Sequence, residues 1–208
     1  MTSVGEHPAP ATRRVGPRAL LVEVADHHEA RALASWIRTQ LVSLTDVVPA
    51  ARTVLLDGLD DPARVSQLVG GWRPGAVEPP HGRSVRIPVR YDGPDLAVVA
   101  RSWGVTEDEV VRRHTGLELV SAFVGFAPGF SYLGGLPEEW SVPRLESPRS
   151  RVPAGAVAIA DRWCAVYPGE SPGGWLLLGR TDVTVWDLSQ ADEPSLLPPG
   201  TRVRFVAA

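Results

Sequence analysis

The segment Phe123–Gly135, which reads FVGFAPGFSYLGG, predicts the character of the C-terminal half of this chain. Glycine and proline recur in it every few residues, and aromatic or apolar residues lie between them. A similar composition occurs in Pro148–Gly155 (PRSRVPAG), Gly169–Trp175 (GESPGGW) and Gly179–Thr181 (GRT). Disordered linkers lack such apolar runs, whereas glycine and proline shape tight turns. The stretch therefore predicts tightly folded β structure with constrained loops.

Short β-prone runs surround this segment, and no helical period interrupts them after residue 117. In chain order they are residues 117–124, 156–160, 165–167, 175–178, 183–186 and 202–206. Many short strands separated by glycine and proline turns favour a closed antiparallel barrel. A predicted helical pair precedes them. One helix spans about residues 94–103, and the next begins with the capping box Thr106–Glu109 and runs to about His114.

Upstream of the helical pair, strands and helices alternate. Strands are predicted at 19–24, 47–48, 53–56 and 84–89, with helices at 27–44 (capped by Asp26) and from Pro62 to Gly70. The order β-α-β-β-α-β is the ferredoxin-like split βαβ arrangement, in which two helices cover one face of a four-stranded sheet. The sequence therefore predicts an α+β protein. It has a disordered tail at 1–14, a ferredoxin-like domain at 15–91, and the helical pair with a β-barrel at 92–208.

Composition and charge argue against several classes of protein. Charged residues almost balance, with 21 basic against 24 acidic, so nothing in the charge favours nucleic acid. No apolar run approaches the roughly 20 residues that span a bilayer, and residues 1–14 lack the apolar core of a signal peptide. Cys164 is the only cysteine, so no intramolecular disulfide can form, which suits a reducing cytoplasm. We therefore expect a cytoplasmic protein without nucleic-acid or membrane partners.

The pattern G-x-S-x-G occurs at Gly169–Gly173, but its context argues against a serine hydrolase. The residue after the serine must donate a backbone N–H to the oxyanion, and Pro172 has none. A tight turn at a pocket rim is the favoured interpretation. The five histidines lack zinc-binding spacing, and neither a P-loop nor G-x-G-x-x-G occurs. The sequence therefore predicts no metal site and leaves the catalytic residues unassigned.

Arginines recur among the loops of the predicted barrel, at Arg144, Arg149, Arg151 and Arg180. The guanidinium group suits bidentate binding of carboxylates or phosphates. Arg151 and Arg180, with Ser171 and Thr181, are therefore candidate anion-binding residues. The alternative is that the arginines pair with nearby carboxylates at the surface.

His114 and Cys164 each have a structural and a functional interpretation. His114 is predicted at a helix C-terminus, where the helix dipole favours a cation, and a ligand contact is the alternative. Cys164 has no activating base nearby in sequence, so a small buried hydrophobe is favoured over a reactive thiol.

Four segments together resemble the KipI/PxpB family, whose members are called the B subunit of 5-oxoprolinase or allophanate hydrolase subunit 1. They are Gly125–Pro137 (GFAPGFSYLGGLP), Val142–Ala160 (VPRLESPRSRVPAGAVAIA), Tyr167–Thr181 (YPGESPGGWLLLGRT) and Leu196–Phe205 (LLPPGTRVRF). Weaker similarity at residues 19–24, 47–56 and 87–96 extends the resemblance over nearly the whole chain. The carboxyltransferase part of urea carboxylase is related to this family.

The resemblance implies a small α/β domain followed by a cyclophilin-like β-barrel. It also implies two partners, the C subunit of 5-oxoprolinase (allophanate hydrolase subunit 2-like) and the A subunit. The three proteins together open 5-oxoproline to glutamate with ATP hydrolysis. ATP would be used by the complex, and the isolated chain would be inactive. A KipI-like regulator that inhibits a histidine kinase stays open as an alternative, as does a urea carboxylase- or allophanate hydrolase-related subunit.

The chain departs from the family pattern after residues 157–160 (VAIA). The family continues there with a Gly-Gly-Gln-Thr-Gly-like segment before Tyr-Pro, whereas residues 161–166 of this chain read DRWCAV. Bulky or charged side chains thus replace glycines and a glutamine. We expect a backbone-lined pocket edge to be altered at this point, which puts the usual substrate in question.

Overall fold

The computed structural model describes residues 9–75, 82–190 and 192–208. These residues form two compact units, divided between residues 80 and 81. In the part of the chain that is described, no helix is long and apolar enough to cross a membrane. The predicted tail at residues 1–8 and the middle of the predicted loop, residues 76–81, lie outside the described residues.

The first unit is a four-stranded antiparallel sheet with two helices packed on one face. Its elements are β1 (Ala11–Arg14), β2 (Leu20–Glu23), α1 (His27–Thr39), β3 (Asp46–Pro49), β4 (Thr53–Asp57) and α2 (Pro62–Gly70). The strands pair in the order β1-β2-β4-β3. Leu33 of α1 and Val69 of α2 pack against Val22 and Leu56 of the central strands in one apolar core.

The start of α1 follows the sequence signal, but its end does not. Asp26 accepts hydrogen bonds from two backbone N–H groups of the first turn. The helix ends at Thr39, before the predicted end at residue 44, because the chain becomes extended at Gln40. Val42 and Leu44 still pack against the same core from the following loop. The spacing of apolar residues therefore predicted a longer helix, because these loop residues fill the same core as the helix does.

Two predictions for the first unit are wrong. Residues 11–14, assigned to a disordered tail, form the edge strand β1, where Thr12 Oγ1 lies 2.6 Å from Ser66 Oγ on α2. Ser84–Val89, assigned as the fourth strand, instead pairs in parallel with the last strand of the second unit. Alternating polarity predicts a strand and its buried face, but it carries no information about which segment pairs with it.

The second unit is a seven-stranded sheet that nearly closes into a barrel, with helices packed on it. Its elements are β5 (Ser84–Val89), α3 (Leu96–Trp103), α4 (Glu107–Gly116), β6 (Leu119–Val124), β7 (Ser131–Gly134), a 3₁₀ turn (Glu138–Trp140), β8 (Arg149–Val152), β9 (Ala156–Ala160), β10 (Trp163–Val166), β11 (Ser171–Gly173), β12 (Leu176–Arg180) and β13 (Arg202–Ala207). The sheet order is β12-β9-β10-β7-β6-β13-β5, and β8 and β11 form a separate two-stranded sheet.

The barrel closes where its two end strands meet, which we call the seam. Arg90, just after β5, and Arg180, at the end of β12, exchange two backbone hydrogen bonds of 2.8 and 2.9 Å. Beside them, Gly93 N donates to Leu178 O at 3.1 Å. Because β13 and β5 run parallel, the predicted all-antiparallel barrel is corrected to a mixed one.

Buried side chains of α3, α4 and the barrel strands form one continuous apolar core. The predicted cap of α4 is confirmed, since Thr106 Oγ1 accepts a hydrogen bond from Glu109 N at 3.2 Å. The predicted strand at 183–186 is not formed. Trp186 makes an isolated antiparallel bridge to Ser195 there, through the backbone hydrogen bonds from Leu196 N to Val185 O at 3.0 Å and from Asp187 N to Pro194 O at 2.9 Å.

Candidate functional site

The glycine- and proline-rich segments converge on one face of β9. Val157 and Ile159 belong to the barrel core, whereas the three alanines that alternate with them belong to a second cluster. Their small side chains leave room for large rings. We call this second set the aromatic cluster: Phe130, Tyr132, Trp163, Tyr167 and Trp175. Phe130 meets Tyr167 and Trp175 edge to face, with ring centroids 5.2 and 5.5 Å apart, a favourable geometry for aromatic pairs.

The small sheet of β8 and β11 packs on the aromatic cluster and carries two predicted site residues. Ser171 pairs in register with Val152, whose side chain is buried in that cluster. Ser171 Oγ is buried and has no hydrogen-bond partner among the described residues. Arg151 Nε lies 2.6 Å from Glu170 Oε2, and both side chains are exposed. The structure thus brings Arg151, Glu170 and Ser171 together on one small sheet.

Arg149, which the sequence groups with the surface arginines, makes the most buried of the ion pairs that the described residues form. Its Nη2 donates to Asp95 Oδ1 at 2.7 Å, and Asp95 Oδ2 accepts from Leu177 N at 2.7 Å. The Asp95 side chain is 7% exposed and that of Arg149 is 28% exposed. The pair ties β8 and β12 to the start of α3. The position of Asp95 suggests a helix cap, yet it makes no side-chain capping hydrogen bond, so the sequence alone could not reveal its partner.

Arg180 and Thr181 lie at the seam. Arg180 Nη2 is 2.8 Å from Asp92 Oδ2, and both side chains are about half exposed. Thr181 is buried, and its hydroxyl accepts a hydrogen bond from the backbone N–H two residues further on. No hydrogen bond or ion pair within the described ranges joins these residues to the sheet of β8 and β11. The predicted anion-binding residues therefore fall into separate groups.

His114 lies in the barrel core on α4, with no exposed surface. Its Nδ1 is 2.7 Å from Tyr91 Oη, and its ring stacks on Phe205 with centroids 4.7 Å apart. Its Nε2 has no partner among the residues that the structure describes. Burial lowers the pKa of His114 to about 4 and raises the pKa of Tyr91. The ring is therefore neutral at neutral pH, and the interpretation of His114 as a helix-terminal cation is wrong.

We predict that protonation of His114 destabilises the fold in mild acid. The pKa of this side chain is 6.5 in its ordinary state and about 4 in the fold, so between these values the unfolded chain binds more protons and acid favours unfolding. Lowering the pH from about 7.5 to about 5 should cost about 2 kcal/mol of unfolding free energy. Urea unfolding at both pH values measures this loss, and His114→Gln should remove most of it. Equal pH dependence in both proteins would contradict the assignment.

The other chemical motifs resolve as structural elements. Cys164 is completely buried on β10, and burial raises the pKa of its thiol to about 12, which confirms the interpretation as a buried hydrophobe. The G-x-S-x-G segment leads into the extended strand β11 and not into a helix, so it is not a nucleophile elbow. Among the described residues, no group of three or more His, Cys, Asp or Glu side chains could hold a metal ion.

Residues 161–166, where the chain departs from the family pattern, form the turn after β9 and strand β10. Asp161 adopts a left-handed conformation, with φ of 51°, and exchanges two backbone hydrogen bonds with Val142. The ring of Trp163 meets Phe123 edge to face at 5.1 Å, and Cys164 lies in the barrel core. Trp163 and Cys164, within this segment, thus supply aromatic and core contacts.

A groove of about 460 Å³ lies beside the loop at residues 124–129 and is lined on its other side by Trp186, Ser195 and two prolines. Phe126 stands on this loop with φ of 68° and a side chain that is 63% exposed. A non-glycine residue in this conformation costs about 1 kcal/mol or more. Gly129 has no side chain to collide with Trp186, which packs directly against it. The loop therefore presents an exposed aromatic ring on a strained backbone.

A family model described as "Carboxyltransferase domain, subdomain C and D" matches residues 10–197. The chain belongs to this family. A protein from Escherichia coli O157:H7, named as the B subunit of 5-oxoprolinase, is 43% identical over 177 residues, which are 80% of this chain and 81% of that protein. One of the same name from Haemophilus influenzae is 37% identical over 191 residues, 88% of this chain and 89% of that protein. These relatives confirm the resemblance that the motifs predict.

Solved structures share this fold. The protein TTHA0988 is 37% identical with a TM-score of 0.75, and the match covers 92% of this chain but 40% of that chain. PH0987 from Pyrococcus horikoshii is 31% identical with a TM-score of 0.56, over 95% of this chain and 97% of that one. The Kluyveromyces lactis urea amidolyase matches with a TM-score of 0.77 at 18% identity, and the match covers all of this chain and 15% of the amidolyase chain. At this identity the match shows the fold alone. The chain thus spans less than half the length of TTHA0988.

Proposed function

We propose that this protein is the B subunit of a cytoplasmic, ATP-dependent 5-oxoprolinase that opens 5-oxoproline to glutamate. The observation that carries the proposal is the 43% identity to the E. coli protein of that name over most of both chains. The H. influenzae protein, of almost fully matching length, supports it. In this role the chain works with the A and C subunits of the enzyme and is inactive alone.

The proposed reaction needs an activated amide and a site that binds anions. Transfer of the γ-phosphoryl group of ATP to the lactam oxygen releases ADP and makes the lactam carbon open to attack by water. The C–N bond then breaks, with its electron pair and a proton going to nitrogen, and a second water hydrolyses the resulting acyl phosphate to glutamate and phosphate. The substrate carboxylate and the phosphoryl oxygens need cationic groups, and the oxyanion that develops needs hydrogen-bond donors. In this proposal ATP is used by the complex, and an ATP site on this chain would not be a P-loop, because the P-loop motif does not occur in it.

We assign the binding of anionic groups first to Arg151 and Ser171. The ion pair of Arg151 with Glu170 is exposed, and exposed pairs contribute only about 0–1 kcal/mol, so an anionic ligand can replace the glutamate. The buried, unpartnered hydroxyl of Ser171 on the same small sheet has unused hydrogen-bonding capacity. Arg180, also in an exposed pair, and Thr181 form a second candidate group at the seam. His114, enclosed in the core, would act through packing alone.

We infer that the partner proteins complete the active site. The region that matches this chain makes up part of a longer polypeptide in TTHA0988 and in the K. lactis urea amidolyase. The exposed ring of Phe126 and the apolar groove beside it offer a surface for the C subunit. We also infer that the two units are a ferredoxin-like domain, completed by β1 as its edge strand, and a cyclophilin-like barrel. The order β1-β2-β4-β3 and the seven-stranded second sheet support this description.

Co-expression with the A and C subunits tests the proposal directly. The reconstituted set should release glutamate and phosphate from 5-oxoproline and ATP, and this chain alone should release neither. Absence of phosphate release by the full set would overturn the proposed function. Recovery of a histidine kinase in a pull-down, without the C subunit, would favour the KipI-like regulator instead.

Within an active set, Arg151→Lys tests the site assignment. We predict a loss of about tenfold in kcat/KM, equivalent to about 1.4 kcal/mol, because an ammonium group cannot bind a carboxylate or phosphate in two-point geometry. The melting temperature should stay unchanged, since the side chain is 74% exposed. Arg101→Lys, at an exposed position on α3, is the matched control. Full activity of Arg151→Lys would remove this residue from the site and leave the proposed function standing.

A further inference from the structure

Three arginines lie side by side on the outer surface of the barrel, and we call them the arginine patch: Arg86 on β5, and Arg202 and Arg204 on β13. The two strands run parallel, and their register places Arg204 directly beside Arg86. The residues that alternate with the arginines are buried in the barrel core: Ile87, Val203 and Phe205. Because side chains alternate across a strand, the three arginines share the outer face, where all three are exposed.

The arginine patch has no carboxylate partner among the described residues. Most arginines of the second unit form ion pairs, and on either side of the patch residue on β5 these pairs are Arg83 with Glu193 and Arg90 with Asp182. The register of β6 and β13, continued by one residue, brings the exposed Glu118 beside Arg204, yet no ion pair between described residues joins the two. Even with this carboxylate counted, the patch keeps an excess of positive charge.

The spacing of the arginine patch favours a partner that carries several negative charges. Arg86 and Arg204 are about 4.8 Å apart at the backbone, and Arg202 is about 7 Å from Arg204 along β13. Like charges directly beside each other in a sheet are destabilising, so a surface with closely spaced carboxylates would remove this repulsion. Arginine is enriched in protein–protein interfaces. A protein is favoured over nucleic acid, because the whole chain has a net charge of −3 and does not attract a long polyanion.

The arginine patch lies on the same strands as the groove beside Phe126. Val120 of β6 pairs with Arg202, and Val124, at the other end of β6, lines the groove. The two prolines that line the groove come shortly before β13 in the chain. At about 3.4 Å per residue, the patch and the groove are about 14 Å apart. A specific interface covers about 800 Å² on each partner, roughly 28 Å square, so a protein seated in the groove also reaches the patch.

We propose that the C subunit binds over both the groove and the arginine patch, and that it presents carboxylates to the patch. This inference rests on the proposed function, which makes the C subunit a partner of this chain. The groove and the exposed ring of Phe126 supply apolar contact. The arginine patch supplies charge complementarity, which fixes the orientation of the partner and speeds its association.

Titration of the C subunit into this chain, by calorimetry at low and high salt, tests the proposal. The wild-type chain should bind, and its affinity should fall as salt rises. Arg204→Glu should weaken binding by at least about fivefold, because it turns an attraction into a repulsion. This variant should fold, since it places opposite charges side by side on β5 and β13. Arg101→Glu makes the same change in net charge at an exposed position on α3, outside the patch and the groove, and should bind as the wild type does.

Phe126→Ala separates the two parts of the surface. It should weaken binding without changing the salt dependence, because it removes apolar contact alone, whereas Arg204→Glu should flatten that dependence. If Arg204→Glu binds as the wild type does, or no more weakly than Arg101→Glu, the inference is overturned and the proposed function stands. If the wild-type chain binds the C subunit neither alone nor with the A subunit, both are overturned. An oligonucleotide that Arg204→Glu alone releases, with binding of the C subunit unchanged, would also overturn the inference.

Discussion

Gly179→Ala is expected to open the barrel at its seam. A methyl group at this position would overlap the backbone carbonyl oxygen of Arg90 on the opposite strand, and Arg90 exchanges the two closing hydrogen bonds with Arg180. Backbone cannot move aside as a flexible side chain can, so the strands must separate or shift register. We predict a loss of at least about 3 kcal/mol in the free energy of unfolding. The melting temperature should fall by about 6–12 °C.

Gly116→Ala is the control for the seam variant. This glycine ends α4, and an added methyl group would meet no atom within 4 Å. Its effect should stay within about 0.5 kcal/mol, or be slightly stabilising because alanine restricts the unfolded chain. Thermal unfolding followed by circular dichroism compares the two variants. Equal melting temperatures would show that the seam does not hold the barrel closed.

Asp95→Ala is expected to destabilise the second unit by about 3 kcal/mol, because it leaves one buried and one partly buried donor without an acceptor. Asp95 accepts from the guanidinium of Arg149 and from Leu177 N, both at 2.7 Å. Through these bonds, one carboxylate joins α3, β8 and β12. Removing the carboxylate loses its attraction to Arg149 and leaves the partly buried positive charge of Arg149 without a partner. Chemical denaturation of the full chain measures the loss.

Burial, and not the length of the ion pair, should decide the size of this effect. Asp92→Ala breaks a pair of nearly the same length, 2.8 Å from Arg180, but its partners are about half exposed. We predict a cost below about 1 kcal/mol for that variant. The double variant Asp95→Ala with Arg149→Ala should recover at least about 1 kcal/mol of the summed single effects. Equal losses for Asp95→Ala and Asp92→Ala would contradict this explanation.

Local signals in the chain predicted most elements of secondary structure. Asp26 and Thr106 start helices where their side-chain oxygens can accept backbone N–H groups, and both caps are observed. The alternation in residues 84–89 correctly predicted a strand. The partner of that strand could not be predicted, because a pairing between residues over a hundred positions apart leaves no trace in the period of either segment.

The motifs of the candidate site predicted segments that pack together in the fold, but not how their residues are grouped. The segments around Phe130, Tyr167 and Trp175 do meet, in one aromatic cluster. Arg151 and Ser171 share a small sheet, while Arg180 lies at the seam and His114 in the core. Sequence spacing gives no burial, so it could not separate an enclosed histidine from an exposed one.

The sequence by itself determined the helix starts, most strands, the absence of a nucleophile elbow and the family to which the chain belongs. Each of these rests on residue types within a few positions of one another, such as Pro172 after Ser171. Only the tertiary structure decided that β1 completes the first sheet, that β5 closes the barrel, and that Arg149 finds Asp95. Those outcomes depend on which distant segments pack against each other and become buried, and burial is a property of the whole fold.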